Sequence, residues 1–369
     1  MKEKCIISTN QFVWMLFSII TSFTALQIPG LLISHAGRDS WMSVIGAWFI
    51  DLLLAMVYAY MGLRFPGQNM VQYSMTILGK YVGRIVGIMF PLFFLMTASL
   101  LMRSLSALLV NLFLPRTPMV VVLGLGYVLI AYGVSKGIEV IARTCEALGP
   151  IYLISMIILL FMGIPEVKLH RLKPLLVEGV YPFLTGIPFI LSFIGICIIM
   201  GMYIPICNRP KNGFLAKFIA VSIGATTIAG SLCLAIGTFG SEQAGNMLNP
   251  SFQLARSVHI GTVIERVEIL WLMISIGAGA MTCANLIWAF NLGIAQITGL
   301  STYKPLIWPS VLIAFILSVT CFDSNIDVFN FTFYSYMFIA LFVQSGLEML
   351  LFISALISGK RGKKTQLLS

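Results

Sequence analysis

Charge is what this sequence has least of. Only 10% of its 369 residues are Asp, Glu, Lys or Arg, against roughly 25% in ordinary soluble domains. That excludes a soluble globular chain. Carboxylates are the scarcer sign, and none lies between Glu178 and Glu242. No small-x-small cleavage site follows the basic start "MKEKCIISTNQFVWMLF", so this start reads as a retained first span, not a removed leader. The cysteines (5, 145, 197, 207, 233, 283 and 321) form no CxxC, and His35, His170 and His259 stand alone. The cysteines therefore read as packing residues, and no metal site is expected. There is no nucleophile–base pair and no Walker loop. Neither an enzyme nor a cofactor is expected.

What is present is apolar length. Hydrophobic residues make up 59% of the chain, in runs that recur from end to end. About 20 such residues cross a bilayer as a helix. The runs are continuous, unlike the alternating ~10-residue segments of a β-barrel. The expected fold class is an all-α polytopic membrane protein of ten transmembrane helices, at 11–34, 41–63, 85–112, 119–135, 147–164, 183–206, 217–240, 267–298, 305–321 and 330–358. All belong to one transmembrane domain. Most lysines and arginines fall on one side of this arrangement, which puts both termini in the cytoplasm. The +10 net charge is mostly this topological bias and calls for no nucleic acid.

The long connection at 165–182 divides the spans five and five. An odd number per half makes the halves face opposite ways, as in an inverted repeat (11–164 and 183–358). Spans 1 and 6 would then correspond. Span 1 contains "SIITSFTALQIPGLL" and span 6 "FLTGIPFILSFIGICIIMGMYIPIC". Both carry Ile-Pro near one end and several polar or helix-loosening residues. A break in lipid leaves backbone groups unpaired, so it must face protein or a wet cavity. Matched breaks point to a ligand cavity. The competing reading is a pair of proline kinks whose hydroxyls satisfy their own helices.

Two charges lie deep. Asp51 and Arg103 each sit ten residues from an outer span end, or about 15 Å at 1.5 Å per residue. An Asp51–Arg103 pair is the leading expectation, with Arg103 on a ligand carboxylate or at a boundary as the alternatives. Glu348 in span 10 reads as either a titrating group or a buried anchor. In span 8, "SIGAGAMTCANLIWAF" reads first as a close-packing face, while Thr282 and Asn285 share one side of it. Glu139, Arg143 and Glu146 form a charged cytoplasmic helix face.

Several stretches in order then resemble a known family: "AGRDSW" (36–41), "FPGQNMVQY" (65–73) with "LGKYVGRIVG" behind it, "GIEVIARTCEALGP", "VIERVEIL" and "LGIAQITGLSTYKPLIWP". They resemble the B subunits of spore germination receptors of endospore-forming Bacillota. That family is similar to the amino acid–polyamine–organocation transporters. The resemblance implies the LeuT-type 5+5 inverted repeat with broken helices 1 and 6, and a ligand site between spans 1, 3, 6 and 8. It implies a first-span break at Thr21, Ser22, Phe23 and Thr24, and a sixth-span break at Ser192, Phe193, Ile194, Gly195 and Ile196. Phe23 and Ile194 would be apolar walls. Ser22, Thr24 and the backbone N–H groups near Gly195 would hold a polar head, with Arg103, Thr282 and Asn285 as further candidates. Relatives carry glycine where Ser22 stands and an acidic residue near Ile196, so a different ligand preference is implied. The function implied is nutrient sensing in the inner spore membrane, with an A-type membrane subunit and a C-type lipoprotein as partners. A proton-coupled amino acid transporter and a purely structural subunit are the alternatives.

Overall fold

The computed structural model describes residues 6–26, 28–174, 176, 179–257 and 268–362. The basic start, Gln27, Glu178, His259, most of "VIERVEIL" and the end of the basic tail lie outside the described residues. Among the described residues regular structure is helical, apart from one isolated parallel bridge between Ile7 and Cys207. That bridge is held by Ile7 N–H to the Ile206 carbonyl at 2.9 Å and Asn208 N–H to the Ile7 carbonyl at 3.0 Å. It ties the start of span 1 to the end of span 6.

The first half contains α1 (Thr9–Leu26), α2 (Ile28–Ala36), α3 (Ser40–Arg64), α4 (Met70–Leu78), α5 (Val82–Leu112), α6 (Met119–Ser135) and α7 (Ile138–Gly163). The second begins with α8 (Tyr181–Ile194), which runs through a 3-10 segment (Gly195–Ile199), α9 (Met200–Tyr203) and a 3-10 turn (Ile204–Ile206). Next come α10 (Gly213–Phe239), the short α11 (Ser241–Gly245) and α12 (Pro250–Ser257), then α13 (Glu268–Thr298) and α14 (Ile307–Thr320). The last span alternates α15 (Asn325–Asn330), a π segment (Phe331–Tyr336), α16 (Met337–Leu341), a second π segment (Phe342–Leu347) and α17 (Glu348–Ser358). Among the described residues seven helical stretches are long and apolar enough to cross a membrane. Two more, Met119–Ser135 and Lys304–Thr320, are apolar but shorter.

Sequence chemistry accounts for these boundaries. α4 starts at a capping box, in which Asn69 and Gln72 each accept the other's backbone N–H at 3.2 Å. Along α3, Ile45, Phe49, Leu53, Met56, Tyr60 and Leu63 are exposed at helical spacing. In water such a stripe would aggregate; in a bilayer it is the lipid face. The opposite face of α3 packs on α8 and α10.

The small residues of span 8 do what their pattern predicts. α13 packs closely on α5. A Cβ on Gly293 would collide with Pro91, and one on Gly279 would come 3.0 Å from Leu105. On the α7 surface Arg143 pairs with Glu139 at 2.5 Å, while Glu146 instead accepts the Asn10 amide at 2.6 Å.

Candidate functional site

Span 1 is helical where the resemblance implies a break: α1 continues through Thr21, Ser22, Phe23 and Thr24 to Leu26, and α2 covers Ile28–Ala36. The hydroxyls explain the continuity. Ser22 Oγ donates to the Ile19 carbonyl and Thr24 Oγ1 to the Ile20 carbonyl, both at 2.8 Å. Such back-bonds keep a polar side chain inside a helix. Thr21 Oγ1 has no partner among the described residues, although Thr21 is only 1% exposed.

Span 6 changes at the implied place. α8 ends at Ile194 and the 3-10 segment begins at Gly195. Ser192 Oγ donates to the Phe189 carbonyl at 2.7 Å. The Ser192 carbonyl, displaced from ideal α-helical pairing, accepts Gln344 Nε2 from the second π segment at 2.9 Å. A Cβ on residue 195 would meet the Gln344 carboxamide, which would have to swing aside. Gln344 Oε1 itself has no partner among the described residues.

Aromatic rings line the same region. Phe23 lies 5.2 Å from Phe193, and Phe193 lies 5.5 Å from Tyr336, centroid to centroid. Phe93 stacks on Tyr336 at 6.2 Å, and the Tyr336 hydroxyl is 3.4 Å from Thr97 Oγ1. Spans 1, 3, 6 and 10 thus meet in an aromatic box edged by hydroxyls and one carboxamide. Phe23, Ser192, Phe193 and Ile194 are at most 1% exposed, so the rings are packed in the core.

A second polar line runs from the box toward α3, α10 and α4. Lys217 Nζ pairs with Asp51 Oδ1 at 2.8 Å, with both side chains fully buried. The ammonium also lies 4.4 Å from the Tyr58 ring centroid. Tyr58 O–H donates to the Gln344 carbonyl at 3.0 Å. One turn on, Glu348 Oε1 accepts Tyr73 O–H at 2.6 Å. Gln344 therefore joins the buried ion pair to the broken part of span 6. Tyr73→Phe would leave the buried Glu348 carboxyl short of its donor, a loss of about 1–3 kcal/mol. A lower thermal midpoint for the purified variant, with no change in helical content, is the expected result.

The Asp51–Arg103 pair is thus corrected. Equal depth on neighbouring spans gave no account of facing, and Asp51 faces α10. Lys217, the first residue of the expected span 217–240, is its partner. Arg103 instead donates Nη2 to the Phe322 carbonyl at 3.1 Å, ahead of span 10. Of the span 8 candidates, Thr282 Oγ1 donates to the Ser18 carbonyl at 3.0 Å. Asn285 donates to the Met281 carbonyl and accepts Tyr203 O–H, each at 3.0 Å. These bonds fasten α13 to α1 and α9.

Of the two implied stretches, the structure brings Phe23 against Phe193, while the Ser22, Thr24 and Ser192 hydroxyls bond within their own helices. Gln344, Tyr336, Tyr58 and Lys217 were missed from sequence. The available signal was Gln344 and Glu348 four residues apart in an otherwise apolar span, next to Tyr336.

Solved structures share the fold at low identity. A nucleobase-cation-symport-1 family transporter, Mhp1, in a closed conformation with bromovinylhydantoin bound, superposes with a TM-score of 0.70 at 14% identity, covering 96% of this chain and 79% of that one. MhsT in complex with L-phenylalanine gives 0.66 at 12% identity, covering 96% and 99%. Both are LeuT-fold transporters, so the all-α, LeuT-type fold expected from sequence holds. In sequence, the chain is 25% identical over 364 residues to spore germination protein YndE of Bacillus subtilis (strain 168), covering 97% of this chain and 98% of that one. It is 25% identical over 322 residues to spore germination protein KB of the same organism, covering 86% of each. A family model described as spore germination protein matches residues 6–326, and the chain belongs to that family.

Proposed function

We propose that this chain is the nutrient-sensing subunit of a spore germination receptor, binding a small molecule such as an amino acid or a sugar in the box between spans 1, 3, 6 and 10. The observation that carries this is the unmatched Gln344 Oε1, buried beside the 3-10 segment of span 6. A buried acceptor without a donor costs about 1–3 kcal/mol. A ligand ammonium or hydroxyl would supply that donor, with Phe23, Phe193 and Tyr336 as walls and Ser22, Thr24 and Thr21 at the polar end. Mhp1 and MhsT hold small molecules, as their descriptions say, which supports a small ligand in this fold. The rings are packed in the core, so entry requires a conformational change. Binding then shifts an equilibrium between states, and nothing is chemically converted.

In this reading the chain lies in the inner membrane of the spore with both termini cytoplasmic, beside an A-type membrane subunit and a C-type lipoprotein. In spores lacking every A-type subunit, it is expected not to accumulate, and its nutrient response is lost. Normal levels with a normal response there would remove the receptor reading. The likeness to a symport-family transporter favours one alternative, proton-driven amino acid transport. Uptake of labelled amino acid by vesicles holding this chain alone, abolished by an uncoupler, would establish it.

A further inference from the structure

A cleft of about 200 Å³ opens where α6, α7 and α13 meet. Gly133 on α6 and Ala280 and Ala284 on α13 line it, and their short side chains leave the space. A Cβ on Gly133 would meet nothing within 4 Å. Leu129, Tyr132 and Val140 flank the cleft and are 59%, 60% and 45% exposed. They are apolar or aromatic residues on two membrane helices, so the cleft opens toward lipid. Thr144 also lines it, but its hydroxyl donates to the Val140 carbonyl at 2.9 Å. That wall is therefore apolar in effect. Lys136 stands at one end, with its ammonium 4.9 Å from the Tyr132 ring centroid. It directly follows the last residue of α6, so this end of the cleft lies at the membrane boundary. α7 starts two residues later without a side-chain cap, which adds the positive end of a helix dipole to the same rim. The carboxylates of Glu139 and Glu146 on α7 are engaged by Arg143 and Asn10.

We infer that this cleft holds one anionic phospholipid, with an acyl chain along Gly133, Ala280 and Ala284 and the phosphate at Lys136. The volume falls below the roughly 300–1,000 Å³ of pockets for soluble small molecules. An open apolar groove on a lipid-facing surface is filled by what surrounds it, which is hydrocarbon chain. The charge at its boundary end then selects the headgroup. A lysine there attracts a net negative headgroup, whereas a zwitterionic lipid would bring its own cation beside the ammonium. The lysine stem packs on the Tyr132 ring and carries its charge to the boundary, as long basic side chains do near helix ends. The site also has a structural consequence. Met281 lines the cleft, and its carbonyl accepts the Asn285 amide at 3.0 Å. Asn285 in turn accepts Tyr203 O–H, and Thr282 donates to the Ser18 carbonyl. A lipid in the cleft therefore braces the turn of α13 to which spans 1 and 6 are fastened.

The test is native mass spectrometry of the purified full-length chain in detergent, with dioleoylphosphatidylglycerol or dioleoylphosphatidylcholine added at equal concentration. The chain is expected to retain one phosphatidylglycerol in preference to phosphatidylcholine, and to show a higher thermal midpoint with the former. Lys136→Met should lower phosphatidylglycerol retention about fivefold, the worth of one lysine near an anionic lipid surface, and leave phosphatidylcholine unchanged. Gly133→Leu fills the cleft without a collision at its Cβ and should lower retention of both lipids. Lys80→Met, on the α4–α5 connection, makes the same change in net charge outside the cleft and should alter neither. Thermal midpoints without added lipid within a few degrees of the parent would establish that the variants are folded. Lys136→Gln and Gly133→Val replace either that is not. Equal retention of the two lipids, or retention indifferent to both cleft substitutions, would overturn the inference. So would a loss in Lys80→Met equal to that in Lys136→Met, which would reduce the effect to net charge. Displacement of the lipid by excess inorganic phosphate would also overturn it, because the site would then hold a free anion.

Discussion

Lys217→Met alone is expected to deplete the protein from the membrane. Asp51→Leu alone should do the same, and the two together should restore it. The pair is 2.8 Å long and both side chains are fully buried. Removing one partner strands the other charge in a low-dielectric interior, a loss of about 3–5 kcal/mol. Total stabilities of about 5–15 kcal/mol leave little room for that. Lys217 also loses its position over the Tyr58 ring, worth roughly 0.5–2 kcal/mol. Replacing both charges by apolar groups of similar size avoids the desolvation cost and is often neutral or better. The measurement is abundance in isolated membranes with the thermal midpoint in detergent. Single variants as stable as the parent, or a double variant no better than either single, would show that the ion pair is not a structural fastening.

How far the sequence could be read turns on such facings. Apolar run length gave the helices, because a bilayer demands it. Span 6 changes to a 3-10 segment at Gly195, within the stretch that the resemblance marks. In span 1 the hydroxyls misled: at Ser22 and Thr24 they stitch the helix to itself, so α1 stays helical where a break was expected. Lys217 misled for another reason. It lies four residues after Gly213, where α10 begins, so it looked like a boundary charge. Only the packing of α3 against α10 reveals that it points inward. Gln344 was invisible because a π segment alters the angle between successive side chains, and a 3.6-residue period cannot place a residue across one.

Gly195 is where the ligand hypothesis meets its hardest test. A Cβ at this position would take the space of the Gln344 carboxamide. Gly195→Ala must therefore push Gln344 aside, breaking its bond to the Ser192 carbonyl and moving the unmatched Oε1 away from the box. One displaced hydrogen bond and a stranded carbonyl amount to about 1–3 kcal/mol, or roughly 5- to 150-fold in the nutrient concentration needed for response. Gly195→Leu should abolish the response, and Ser22→Leu should raise that concentration by filling the box from the span 1 side. Thr24→Val removes only a back-bond and should shift it by about tenfold or less. Adding Gln344→Ala to Gly195→Ala separates steric from chemical effects. The pair should tolerate the new methyl group and accumulate normally, yet remain insensitive to nutrient because the carboxamide is gone. A Gly195→Ala protein present at parental levels and responding at the parental concentration would mean that the broken turn of span 6 is structural and that the ligand binds elsewhere.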